Sequence, residues 1–389
     1  MTQERQQRPS AAQDWRAEPG TVAYAYETPV RVRAGFIGCG VHAYRNVYPA
    51  FRYAPVELVA VTDLQEDRAA AFAREFGAQR SYTDYREMLA REELDCVFVV
   101  TNYDAQGHPR YPGIAMDAMR AGCHAWIEKP PAMSLAQVEE MMAVEHETGK
   151  FVQVGYKKMF VPAYEKAREI SGRLEFGGVN QLTVRYPQSL PPPESRYDLA
   201  GEPLAVSFLD HLFHPMAIVQ HIGGDATSMC YLWEPRGGGM IASFTLAGGG
   251  IASLHSSGGQ SPNAPREHIE VVGQGAHLVV ENGIRLTYYR PARGLSYGRA
   301  ASFITPDDEA PLHWEPEFSL GVLYNDNAFL LGYVPEIRTF CDSVQASSPP
   351  AKAGLRDTWS MMQVYEAFRA PAGTVVPLRP SPTLPSVPR

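Results

Sequence analysis

Between Arg31 and Asp63 the chain reads RVRAGFIGCGVHAYRNVYPAFRYAPVELVAVTD, and this stretch restricts the possible fold more tightly than any other. Val32, Gly35, Phe36 and Ile37 form a run of the length of a buried strand. Gly38-Cys39-Gly40-Val41-His42-Ala43 follows, a turn of the form G-x-G-x-x-A. Tyr44, Val47, Tyr48 and Phe51 then recur at helical spacing, Val56–Val61 reads as a second strand, and Asp63 stands 20 residues beyond Ala43. Strand, glycine turn, helix, strand and acid in this order predict a dinucleotide-binding unit. Gly38 permits the tight turn, Gly40 lets the backbone approach a pyrophosphate, and Ala43 allows close helix–strand packing. The helix start at Val41 and His42 presents unpaired N–H groups to the phosphates. Asp63 accepts from the ribose hydroxyls of an adenosine and repels a 2′-phosphate, so NAD is expected and NADP is disfavoured.

After Asp63, helices and strands continue to alternate. Helices are expected over 65–76, 85–90, 112–120 and from Ser134 to about 148, with strands over 95–100, 123–127 and 151–155. This pattern predicts a doubly wound parallel sheet with its ligands beyond the strand C-terminal ends, where Thr101 and Glu128 stand. From about residue 156 the rhythm changes. A helix over 162–170, a strand over 178–186, a proline-rich loop and a helix over 206–222 precede strand-like runs at 226–233, 239–247, 249–257, 267–273, 276–281 and 284–290. Glycine turns separate several of these runs, which predicts a large, mostly antiparallel sheet. Residues 292–322 read as a long loop, 324–346 and 355–369 as helices. The expected fold class is α/β, with a flexible arm (1–25), a Rossmann domain (26–155), an α/β domain for substrate and oligomerisation (156–370) and a proline-rich tail (371–389) that packs along a surface or a partner.

The formal net charge of −8 argues against nucleic-acid and anionic-membrane partners. No apolar run reaches membrane-spanning length, and the polar N-terminus does not read as a signal peptide, so a cytoplasmic protein is expected. Five scattered cysteines without C-x-x-C spacing predict neither disulfides nor a metal site. Apolar runs at Val271-Val272 and Leu278-Val279-Val280 suggest a sheet face that a second copy covers, giving a homodimer or homotetramer.

The strand over 123–127 delivers Glu128-Lys129-Pro130 to the edge of the expected crevice. A lysine there can hold or protonate a substrate oxygen, and a cis Lys129–Pro130 bond would aim it. The glycine turn followed by this E-K-P tripeptide resembles the Gfo/Idh/MocA family of nicotinamide-dependent oxidoreductases. The resemblance extends through Gly155-Tyr-Lys-Lys-Met-Phe-Val-Pro162 and Asp210-x-x-x-His214, and covers about residues 31–370. It implies a Rossmann domain joined to an open-sheet domain and hydride transfer at a carbinol of a sugar, cyclitol or similar polyol. By the same likeness Asp210 and His214 are the catalytic pair and Lys158 occupies a frequently basic position that meets substrate oxygens. His108 resembles the family's histidine after the threonine-containing strand end, although its loop is longer here. Leu212 and Ala217 stand where the family usually has glycine and often aspartate, so the substrate cannot be carried over.

Residue chemistry agrees. Asp210 and His214, four apart on a helix, share one face together with Ser207 and Ile218. Alcohol oxidation needs a base for the hydroxyl proton, and histidine titrates near neutrality. Asp210 would hold a neighbouring hydroxyl or orient the histidine; His211 and His221 read as structural. The same residues leave room for a lyase or glycosidase that oxidises a sugar transiently, or for a dinucleotide sensor that needs none of Lys129, Asp210 and His214.

Overall fold

The structure is a computed structural model that describes residues 30–291, 311–316 and 326–382. The expectations for residues 1–25, most of the 292–322 loop and the end of the tail lie outside the described residues. The first layer runs β1 (Val32–Ile37), β2 (Val56–Thr62), α1 (Glu66–Phe76), β3 (Arg80–Tyr82), α2 (Tyr85–Arg91), β4 (Cys96–Val99), α3 (Tyr111–Arg120), β5 (His124–Ile127), α4 (Leu135–Thr148) and β6 (Val152–Val154). The six strands form one sheet in the order β3-β2-β1-β4-β5-β6, with every pair parallel. The order reverses between β1 and β4, and that reversal opens the crevice in which open α/β sheets hold ligands.

Local chemistry accounts for most boundaries. The Ser134 hydroxyl accepts from the Gln137 N–H and starts α4, and Gly149 ends it in the left-handed region. The helix expected after the glycine turn is irregular, a wide turn over Ala43–Val47 followed by a tight one over Tyr48–Tyr53. Pro49 lacks the N–H that a continuing helix would use, so the two halves adopt different hydrogen-bond patterns. Strand β3 was not foreseen. At three residues, none of them buried, it has no apolar run to announce it.

The second layer contains α5 (Pro162–Ser171), β7 (Gln181–Tyr186), α6 (Pro203–Gly223), β8 (Ala226–Trp233), β9 (Met240–Leu246), β10 (Ile251–Ser256), β11 (His268–Val272), β12 (His277–Glu281) and β13 (Arg285–Tyr289). Strand β14 (Leu312–Trp314) pairs with β13, so the stretch expected to be loop supplies an edge strand. The segment expected to be one helix over 324–346 is two, α7 (Asp326–Leu330) and α8 (Tyr333–Gln345), separated at Gly332, whose φ is +91°. Helix α9 (Leu355–Ala367) follows, and β15 (Val376–Pro377) pairs with β8, so the tail's start packs along the sheet edge. The nine-stranded sheet runs β14-β13-β12-β11-β7-β10-β9-β8-β15 and is antiparallel except where β7 lies parallel to β10.

One face of this sheet is core. Leu182, Val184, Leu254, Val271, Leu278 and Val280 are buried in one cluster with Phe208, Leu212 and Phe213 of α6. The expectation that Val271, Leu278 and Val280 lie on an open face is therefore corrected. Strand alternation turns them inward and leaves Val272 and Val279, half-buried, on the open face with the exposed Leu232, Ile241 and Ile251. A second core joins Phe36, Phe51 and Phe98 to Val334, Ile337 and Phe340 of α8, so a late segment of the chain closes the back of the first sheet.

His124 on β5 gives a test of this core. It is buried, its Nδ1 accepts the Phe151 N–H (3.2 Å), and burial, then the Lys150 charge, pushes the imidazole down to about 4. The stability held by the neutral ring is complete above its ordinary value of 6.5 and is lost as pH falls through 4. His124→Asn keeps an acceptor but does not titrate. Melting temperature followed across this window should fall less steeply in the variant than in the wild type; parallel curves would refute the assignment.

Candidate active site

Gly38 leaves β1 with φ +103°, and a Cβ there would lie 2.0 Å from the Val100 carbonyl oxygen, so only glycine fits. Its N–H donates to the Thr62 carbonyl (2.7 Å) and fastens the end of β1 to β2. Asp63 then holds the turn from the side, since Oδ2 accepts the Cys39 N–H and Oδ1 the Gln65 N–H, each at 3.0 Å. Arg68 Nη1 stands 3.6 Å from Asp63 Oδ1. Around Gly40 a Cβ would meet nothing, and the open space belongs to a crevice of about 560 Å³. Its walls are Cys39–His42, Arg68, residues 100–103, Tyr111, Glu128, Lys129 and Asp210. The turn, its helix start, Asp63's neighbour Arg68, Thr101, Glu128 and Lys129 thus share one cavity.

The residues present fit a dinucleotide. The bare backbone of Gly40 faces the cavity, and Thr101 Oγ1 is buried in its wall with no hydrogen-bond partner among the described residues. Such an orphaned hydroxyl is explained by a polar ligand group in the crevice.

Glu128 is buried at the crevice floor. Oε1 accepts from His42 Nε2 (2.8 Å), whose Nδ1 accepts from the Asn46 amide (3.1 Å), and Oε2 accepts the Lys129 N–H (3.0 Å). Burial alone would raise its pKa, but the His42 bond and the charges of His42, Lys129 and Lys157 outweigh burial and hold the carboxyl below its ordinary value. Glu128 therefore stays ionised and anchors both the turn and the lysine. The Lys129–Pro130 peptide is cis. Lys129 Nζ reaches Asp210 Oδ1 of α6 at 2.8 Å, and the Tyr103 hydroxyl donates to the same oxygen at 2.9 Å.

His214 is buried one turn along α6, its ring 6.2 Å from that of Tyr186 and 6.1 Å from that of His211. Burial, followed by the charges of Lys129, Lys157, Lys158 and His211, pushes the imidazole well below its ordinary value. This corrects the expectation that it titrates near neutrality. It is held as a neutral ring, with its unprotonated nitrogen free to accept but with a weaker basicity than an ordinary imidazole. Asp210 is engaged with Lys129 and Tyr103, and its second oxygen is 3.5 Å from His211. Ser207 meets His211 through its carbonyl (2.9 Å). Lys158 bonds both oxygens of Glu267 at 2.6 Å, and His108 sits on Asp104, away from the crevice walls. Sequence reasoning missed Tyr103 and Glu267. Tyr103 stood two residues past Thr101, at a strand end where ligand groups gather. Glu267 left no local signal, lying 53 positions past His214.

Residues 32–156 match the family model described as an oxidoreductase family with an NAD-binding Rossmann fold, Gfo/Idh/MocA. Over these residues the chain is similar to that family. Its dinucleotide is NAD, as the family description states. The chain spans about half the length of several curated relatives it matches. One, 4-carboxy-2-hydroxymuconate-6-semialdehyde dehydrogenase of Sphingobium sp., is 30% identical over 46% of this chain and 54% of its own. Myo-inositol 2-dehydrogenase of Thermotoga maritima is 20% identical over 80% of this chain and 88% of its own. Among solved structures, an oxidoreductase of Agrobacterium radiobacter in complex with NAD+, L-tartaric acid and magnesium shares the fold, with a TM-score of 0.71 at 13% identity over 90% of this chain and 98% of that one. Among the described residues no group of side chains could hold a metal ion and no helix is long and apolar enough to cross a membrane.

Asp63 braces the turn, and Arg68 beside it lines the cofactor cavity. Removing the Asp63 charge should loosen the turn and leave Arg68, held then by Gln65 alone (2.8 Å), able to turn to a 2′-phosphate. In nicotinamide fluorescence titrations Asp63→Ala should bind NADH more weakly and lose most of its preference over NADPH. An unchanged ratio of the two affinities would exclude Asp63 from cofactor choice.

Proposed function

We propose that the chain is an NAD-dependent dehydrogenase or reductase acting on a carbinol or ketone of a sugar, cyclitol or related polyhydroxylated ring. The observation that carries this reading is the Lys129–Asp210 pair in the wall of the dinucleotide crevice, with a buried His214 one turn along the same helix from Asp210 and feeling the Lys129 charge. Bound NAD supplies the acceptor or donor of the hydride. In the oxidative direction the His214 imidazole takes the hydroxyl proton, and the Lys129 ammonium stabilises the developing alkoxide. Asp210, held by Tyr103, orients Lys129 and accepts from a neighbouring hydroxyl. The relative named myo-inositol 2-dehydrogenase, which matches over most of both chains, supports a polyol substrate. The whole arrangement argues against a dinucleotide sensor, for which an ammonium–carboxylate pair buried beside a neutral imidazole has no use.

Leu232, Ile241 and Ile251 on the open face of the large sheet support a homodimer or homotetramer formed by pairing of that face. Charging it with Leu232→Glu and Ile241→Glu together should lower the mass seen by light scattering. A wild type that is monomeric at micromolar concentration would end this part of the proposal.

His214→Asn should preserve NADH affinity and lower the single-turnover hydride step by ~10²–10⁴-fold. Lys129→Ala should act in the same direction, and the double variant should be little worse than the poorer single one, because the two groups serve one oxygen. Since the folded environment holds His214 well below 6.5, oxidation should remain active as pH falls below that value, with its acidic limb shifted downwards. A hydride step unimpaired in His214→Asn would make Lys129 the base.

A further inference from the structure

A second ammonium–carboxylate pair stands near His214, and its acidic member comes from the far end of the chain's second sheet. Lys158 Nζ donates to both oxygens of Glu267 at 2.6 Å, and the Tyr164 hydroxyl donates to Oε2 at 2.9 Å. Lys158 Nζ also lies 5.8 Å from the centre of the Tyr186 ring, itself 6.2 Å from that of His214. Tyr186 feels the negative charges of both Glu267 and Asp210, so the two carboxylates lie within reach of one ring. The acid is held in place by design of the backbone. The Glu267 N–H donates to Asn282 Oδ1 (3.0 Å) and the Asn282 N–H to the Glu267 carbonyl (2.9 Å), with Asn282 in the left-handed region at φ 51°. The next residue, Gly283, backs onto Val161 and Tyr164, where a Cβ would come within 3.4 Å of both. The turn between β12 and β13 thereby sets Glu267 against Lys158.

Resting on the polyol reading above, we propose that Glu267 is a specificity-determining residue that makes Lys158 one half of a hydroxyl-reading pair and bars a substrate carboxylate from that side of the site. An unpaired Lys158 would join Lys129 and Lys157 as a cationic cluster suited to acids. With Glu267 present, Lys129 faces Asp210 and Lys158 faces Glu267, while Lys157 rests on the Tyr333 hydroxyl (3.3 Å), so two of the three cations are matched. A hydroxyl can accept from an ammonium and donate to a carboxylate at once, and Lys158 keeps one N–H beyond the two it gives Glu267. A carboxylate can only accept, and it meets Glu267 as a like charge.

The test uses the full chain loaded with NADH and titrated with D-glucose, D-galactose and D-mannose and with their uronic acids, followed by nicotinamide fluorescence. The wild type should bind the neutral rings at least about tenfold more tightly than the acids. Glu267→Gln keeps the shape and an acceptor but releases the charge, and should shift the neutral-to-acid ratio about tenfold towards the acids. Adding Lys158→Met should cancel that shift. Asn282→Gly, which keeps the turn but opens the clasp, should shift the ratio in the same direction by less. A ratio that Glu267→Gln does not move, with the neutral rings still bound, overturns the role of Glu267 and leaves the polyol reading standing. Failure of the wild type to bind any neutral ring, with NADH bound normally, overturns both.

Discussion

The 2.8 Å contact between Lys129 Nζ and Asp210 Oδ1 is the interaction on which the site depends, because it joins residues from two sheets' worth of chain at one point. Lys129 arrives at the end of β5, and Asp210 is carried by the long helix α6 that covers the second sheet. Both side chains are largely removed from solvent, so neither charge would be tolerated there without the other. Tyr103 adds a second donor to the same oxygen and brings in the loop after β4. Breaking the pair would therefore disturb the crevice wall and the approach to His214 together.

The charges around this pair follow one pattern. Three buried ions near the crevice have a partner of opposite sign from elsewhere in the chain: His42 for Glu128, Asp210 for Lys129, Glu267 for Lys158. Desolvation makes an unpaired ion costly, so matching favours the placement of Lys129 and Lys158 close to one imidazole. Among the described residues the imidazole of His214 has no such partner. Burial and the neighbouring ammoniums then leave it neutral, the state in which it can take a proton. The chemistry of the site is in this sense a by-product of how its charges are balanced.

Elements with strong local causes were legible in the sequence. Ser134 and Gly149 mark α4, the paired glycines mark Gly38–Gly40, and the six strand runs from 226 to 290 are punctuated by glycine turns. Elements without local causes were not. Strand β3 has three exposed or half-exposed residues, β14 interrupts a proline-punctuated stretch, and the parallel insertion of β7 beside β10 leaves no mark on either strand. Side-chain alternation also misled where an apolar run looked like an exposed face. Only pairing decides which residues of Val271-Val272 turn inward.

The same division holds for function. The amino-acid sequence alone determined the dinucleotide turn, the acid at Asp63, and the placement of Lys129 after a strand, because each is a matter of spacing within about thirty residues. It also placed Asp210 and His214 one helical turn apart. What the tertiary structure decided was which charges meet. Lys129 took Asp210, Lys158 took Glu267, Tyr103 came in on Asp210, and His214 was left neutral among them. Electrostatic environment depends on distance and burial through space, and neither is written in the order of residues along a chain.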